Sequence, residues 1–135
     1  MELVQLAFDK IMQTRTYTVI VLKTKEKRFA IYVDPTVGKS LQLYLTDTDR
    51  PRPLTHDLIS AIFKGFEIRV KQVVINDVQD TTYFARIFLE MEKDTLRHIV
   101  EIDARPSDCI TLALMQNAAV FCTKEVLEKT IPVVD

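Results

Sequence analysis

The chain has 135 residues, 18 basic against 19 acidic side chains for a formal net charge of −1, and 47% hydrophobic residues with only two glycines and five prolines. That composition excludes a disordered chain, and the length sets the expectation of one domain, residues 1–135, with a substantial buried core. The near-neutral balance excludes a binder that relies on bulk positive charge, and no apolar run approaches the ~18 residues of a membrane span.

Glu2 to Met12 alternates apolar and polar positions, which reads as a strand and not as the apolar centre of a signal peptide. Tyr17 to Lys23 is β-branched and aromatic, a stronger strand, Lys25-Glu26-Lys27 turns, and Arg28 to Val33 is a third strand. Residues 1–75 hold 12 basic and 8 acidic side chains, residues 76–135 hold 6 and 11. Much of the basic excess lies between Lys10 and Arg28. It fits a solvated hairpin with charged edges, with contact to phosphates as the alternative.

Asp34-Pro35 opens a helix, the acid as cap and the proline at its first position, with Leu41, Tyr44 and Leu45 as the apolar face. Thr46 to Pro53 is a charged connector whose prolines exclude helix. A second helix is expected from an N-cap at Thr55, with Leu54 stapled onto Ile59. Its apolar face is Leu58, Ile59, Ile62 and Phe63, and Gly65 is expected at a left-handed stop. Three strands follow, Glu67–Asn76, Thr82–Met91 and Leu96–Ile102, and alternation in the last makes His98 a partly buried structural histidine. Asp103 then caps an almost wholly apolar helix that stops at Asn117. A short strand, Ala119–Cys122, and a helix capped by Thr123 complete the chain. Cys109 and Cys122 are not a CxxC pair and are expected to be reduced thiols in a cytoplasmic setting. Shifted by 69 residues, Ile31-Tyr32-Val33-Asp34 lies on Val100-Glu101-Ile102-Asp103. This suggests two β-β-β-α units. The fold class is therefore α/β (α+β), mixed or antiparallel sheet segments packed on two central helices.

Two polar turns carry the candidate chemistry. In Arg50-Pro51-Arg52-Pro53-Leu54-Thr55-His56-Asp57, His56 has the titration range of a general base, Asp57 can hold it or bind a cation, and Arg52 can meet phosphate. In Asp103-Ala104-Arg105-Pro106-Ser107-Asp108, Arg105 and Ser107 sit at a helix N-terminus, where unpaired N–H groups favour an anion. Asp57, Asp103 and Asp108 together would suit Mg²⁺ or Mn²⁺ in phosphodiester cleavage. The same residues also read as two capped, salt-bridged helix starts, with Arg105 paired to Asp57 or Asp108. The histidines and cysteines are too scattered for zinc, two glycines build no phosphate loop, and Ser107 with His56 lacks a nucleophile elbow.

Arg52-Pro53-Leu54-Thr55-His56-Asp57-Leu58 and Ile102-Asp103-Ala104-Arg105-Pro106-Ser107-Asp108 resemble the signature of the bifunctional nuclease domain family. Val74-Ile75-Asn76-Asp77 and Thr82-Tyr83-Phe84-Ala85-Arg86 are similar to that family's central hairpin. The resemblance spans most of the chain, firmest from Arg50 to Leu127. It implies a compact α/β domain, self-association into a dimer or larger oligomer, and cleavage of both DNA and RNA. Where the family opens its first helix with glycine and an acid, this chain has Asp34 and Val37, and Cys109 replaces a small residue.

The leading expectation is a nuclease with His56, Asp57, Asp103, Arg105 and Asp108 as catalytic groups, and Arg52, Arg105 and Ser107 on the substrate. The rival is a non-catalytic module that binds a small anion, nucleic acid or a protein partner. A nuclease needs the two turns beside an open cleft; a mere joint needs them buried and mutually satisfied.

Overall fold

The computed structural model describes residues 2–134. In chain order its elements are β1 (Leu3–Gln13), β2 (Thr18–Lys23), β3 (Arg28–Val33), α1 (Pro35–Leu45), α2 (Thr55–Gly65), β4 (Arg69–Gln79), β5 (Thr82–Lys93), β6 (Leu96–Ala104), α3 (Pro106–Gln116), β7 (Ala119–Thr123) and α4 (Lys124–Lys129). The strands form one seven-stranded mixed sheet, ordered β3-β2-β1-β7-β4-β5-β6. Two antiparallel meanders, β1–β3 and β4–β6, flank β7, which runs antiparallel to β1 and parallel to β4. Tight turns make the second meander possible. Asp80, Asp94 and Thr95 adopt positive φ of 58°, 54° and 64°, as short hairpin loops demand. No helix among the described residues is long and apolar enough to cross a membrane.

α1 packs on β1 and β2, α3 packs on β4, β5 and β7, and the two helices touch. α3 is buried nearly throughout: Cys109, Ile110, Thr111, Leu112 and Ala113 join Ile20, Leu22, Phe29, Val73, Ile75 and Ile87 in one core. Gly38 on α1 is a close-approach position. A Cβ there would lie 1.9 Å from Thr18 Oγ1 on β2. In the basic first hairpin, Asp9 takes Lys23 at 3.6 Å and Arg28 at 3.2 Å, so part of the positive charge is answered within the fold.

The β-β-β-α pattern occurs twice, as β1-β2-β3-α1 and β4-β5-β6-α3. Its true register places Pro35 on Pro106 and Asp34 on Arg105, two residues away from the sequence offset. The proline at the first helical position fixes this, because it forces the preceding residue out of helical conformation. Asp103 is therefore in β6 and Arg105 is the N-cap, with no side-chain cap bond.

Other local expectations shift similarly. Leu54, not Thr55, is the α2 N-cap, and Asp57 closes the turn by accepting the Leu54 N–H at 2.8 Å. Gly65 remains helical and the left-handed residue is Glu67, φ 56°. The inner face of α2 is His56, Ile59 and Phe63, which leaves Leu58 and Ile62 exposed. His98 is exposed, on β6 at the edge of the sheet, and not partly buried as alternation suggests. The caps at Asp34 and Thr123 and the left-handed Asn117 are as expected.

Candidate functional site

The two polar turns meet because α2 and α3 pack together with their first turns adjacent. In the connector before α2, Arg50 grips Asp57 with both arms of its fork, Nε to Oδ2 at 2.7 Å and Nη2 to Oδ1. Its guanidinium lies 4.5 Å over the Tyr44 ring, a cation–π contact that fixes the arginine from the other side. The Arg50 bond holds the Asp57 carboxyl below the usual carboxylate range, helped by the Leu54 N–H. Burial pushes the Tyr44 phenol up, against the opposing pull of Arg50 and of the His56 and Asp57 backbone N–H groups at the start of α2.

His56 points inward from the first turn of α2, edge-on to the Tyr44 ring at 6.0 Å. Its Nε2 lies 2.9 Å from Asp108 Oδ1, and its side chain is only 9% exposed. The same carboxylate accepts Arg105 Nε at 2.9 Å and Nη2 at 3.3 Å. The bond to His56 is the largest influence holding Asp108 below its ordinary range, with Arg105 adding to it. Asp108 in turn pushes Arg105 up. A chain of three groups results, buried imidazole, half-buried carboxylate and a guanidinium 68% exposed.

Arg105 and Ser107 border a cleft of about 300 Å³ where β3 hands over to α1 and β6 to α3, with Tyr32, Asp34, Thr82 and Tyr83 opposite. Ser107 is itself buried, and its carbonyl accepts the Thr111 hydroxyl at 2.7 Å. A larger hollow of about 710 Å³ lies elsewhere, near α4. It sets Lys25, Lys27 and Lys124 against Glu2, Glu26 and Glu128, so its charges cancel and it offers a phosphate little.

A family model described as the bifunctional nuclease domain matches residues 20–134. The chain belongs to the bifunctional nuclease domain family. Two Mycobacterium tuberculosis proteins, each described as uncharacterized and from strains CDC 1551 and H37Rv, are 25% identical to this bifunctional nuclease domain over 120 residues. The match covers 87% of this chain and 69% of each relative.

Within this family domain, the expected residues divide. His56, Arg105 and Asp108 come together, and Ser107 joins Arg105 at the cleft. Asp57 is beside them in sequence but answers Arg50. Asp103 does not join. It stands directly opposite Arg86 in the sheet, and the alternation that puts Ile87 and Ile102 on the α3 side of the sheet puts Arg86 and Asp103 on the other face. There its side chain is 72% exposed and 3.9 Å from Arg86 Nη1. Arg52 is exposed in the connector. No three His, Cys, Asp or Glu side chains among the described residues are placed to hold a metal ion, so the expected sharing of one cation by Asp57, Asp103 and Asp108 is not met. Arg50 and Tyr44 are the groups the sequence reading missed. The signal for Arg50 was its place in the same proline-stiffened segment as Asp57; Tyr44 carried none beyond its place on an apolar face.

Proposed function

We propose that this chain hydrolyses DNA and RNA phosphodiesters at the cleft beside the start of α3, with Arg105 as the group that meets the phosphate. The observation that carries this reading is the chain His56–Asp108–Arg105, which ends on an exposed guanidinium at the cleft. Asp108 engages Nε and Nη2 of Arg105, and Nη1 has no partner among the described residues. A fork so fixed meets a phosphate without reorganising, and charge that develops on the phosphoryl oxygens gains most from a donor already in place. The Ser107 and Asp108 N–H groups, in the first turn of α3, add the positive end of a helix dipole.

In this reading Arg105 touches substrate, while His56 and Asp108 are positioning residues. Arg50 and Asp57 hold the first turn of α2, and so hold the imidazole. Arg52 supplies charge from the connector. Mg²⁺ or Mn²⁺ would have to arrive with the substrate phosphates, a mode open to Mg²⁺ because it binds proteins through few carboxylates. The two thiols are buried, Cys109 pushed up to about 12 and Cys122 to about 11 by desolvation, and such inert thiols suit the cytoplasm in which we place this activity.

The burial of His56, and the engagement of Asp57 and Asp108 by arginines, favour a second reading, a non-catalytic module that holds a phosphate-bearing ligand in the same cleft. Cleavage of single-stranded DNA and RNA with Mg²⁺, Mn²⁺ or chelator separates the two. The nuclease reading expects Arg105→Ala to lose about 100-fold or more in rate, Arg105→Lys less, and Asp108→Asn about tenfold. Rates unchanged in Arg105→Ala sink this site. Oligonucleotide binding that depends on Arg105, without cleavage under any condition, selects the module.

A further inference from the structure

The two ends of the sheet are finished differently. At β3, the chain beyond α4 returns along the edge: Pro132 bridges to Phe29, and the Val133 N–H donates to the Arg28 carbonyl at 2.8 Å. At β6 nothing among the described residues pairs with the outer edge. Sheets normally protect such an edge with charged side chains, lysine above all, or with a bulge, a proline or a very short strand. β6 has only the charges Arg97, Glu101 and Asp103, and each lies within ion-pair reach of a side chain on β5. Its nine residues, Leu96 to Ala104, contain neither proline nor lysine, and its register with β5 is unbroken from Ala85↔Ala104 to Lys93↔Leu96. It also carries exposed apolar side chains, Leu96 at 63%, Ile99 at 46%, Val100 at 52% and Ile102 at 42%. Leu96, Val100 and Ile102 share the face on which Ile87 is buried, so they extend the apolar floor beyond the reach of α3.

We infer that β6 is the contact through which two copies of this chain pair, antiparallel, into a continuous sheet across both molecules. The strand is its own complement. In a pairing centred on Ile99, Arg97 of each copy stands across from Glu101 of the other, and Leu96 across from Ile102. Centred at Val100, Arg97 meets Asp103 instead. A parallel pairing in register would set each charge against its like, which disfavours it. Directly opposed residues of an antiparallel pair share a face, so both apolar rows bury each other while the backbone groups of the bare edges become paired.

Sedimentation equilibrium of the whole chain tests this, with Val100→Lys, with Val100→Lys/Ile102→Lys, and with Ile99→Cys and Val100→Cys. These positions are half-exposed, and the two native thiols are buried. The expected result is a wild-type dimer and a folded double variant that dissociates about 100-fold more readily. One of the two cysteine variants should form a covalent dimer under mild oxidation, while Arg15→Cys, in the turn between β1 and β2, should not. Melting by circular dichroism confirms that each variant is folded. A monomeric wild type at 100 µM, or a folded double variant that dimerises as tightly as wild type, overturns the proposal.

Discussion

Asp57 and Asp108 stand in the first turns of neighbouring helices, each held ionised by its own donors. Arg50 is the main influence on the first, His56 on the second. Both carboxyls lie below their ordinary values, so the stability they confer is fully present above the unfolded carboxylate range of about 4 and is lost as pH falls through the lower folded values. Thermal melts from pH 7 down to pH 2 should show a falling midpoint. Asp57→Asn and Asp108→Asn should each be less stable at pH 7 and show a shallower acid slope; slopes equal to wild type would remove both pairs from the account. A second residue-scale case is Gly38 against Thr18. A methyl group on Gly38 would come within 2.5 Å of the Thr18 Cβ, a stiff branched side chain with no free space around it. Gly38→Ala should cost about 1–3 kcal/mol in chemical denaturation by overpacking. Thr18→Val keeps the shape and removes a buried hydroxyl that has no partner among the described residues, so it should be neutral or stabilising. A destabilised Thr18→Val would mean that the hydroxyl has a partner after all.

At the scale of elements, period and propensity carried most of the reading, and caps carried the errors. The strands and helices lie close to where alternation and 3.6-residue spacing placed them, because those signals average over many residues. Helix starts depend on one or two residues, and the acid nearest the strand end, Asp103, competes there with the residue before the proline. Pro106 held the better signal. The rule that read Asp34-Pro35 correctly as cap and first helical residue, applied again, selects Arg105 and excludes Asp103. Asp34→Ala should therefore cost about 1 kcal/mol, since Asp34 accepts the Thr36 N–H at 2.7 Å. Asp103→Ala should stay within about 0.5 kcal/mol, and a cost at Asp103 equal to that at Asp34 would restore it as a cap. The face of α2 is hidden for a related reason: His56 is polar, so hydropathy alone points to Leu58 as the inward residue, whereas the helix is turned to bury His56.

Across the whole molecule, the motif pair was legible and its meeting was not. Arg105, Ser107 and Asp108 fall together because they share one turn, and a short segment shows that on its face. That His56 lies against Asp108, 52 positions away, depends on the packing of α2 against α3, which no local pattern encodes. Nor could any local pattern tell that Asp103, two residues before Arg105, faces away, since the face depends on pairing with β5. The sheet order was likewise hidden. Successive strands by default neighbour one another, and β7 departs from this by entering between β1 and β4. That insertion sets an order of assembly. Each meander closes through hairpins between sequence neighbours, but the strand that couples them is the last of the seven to leave the ribosome. Until Ala119 to Thr123 has emerged, the two halves of the nascent chain share no backbone ladder, and two inner rims stand open.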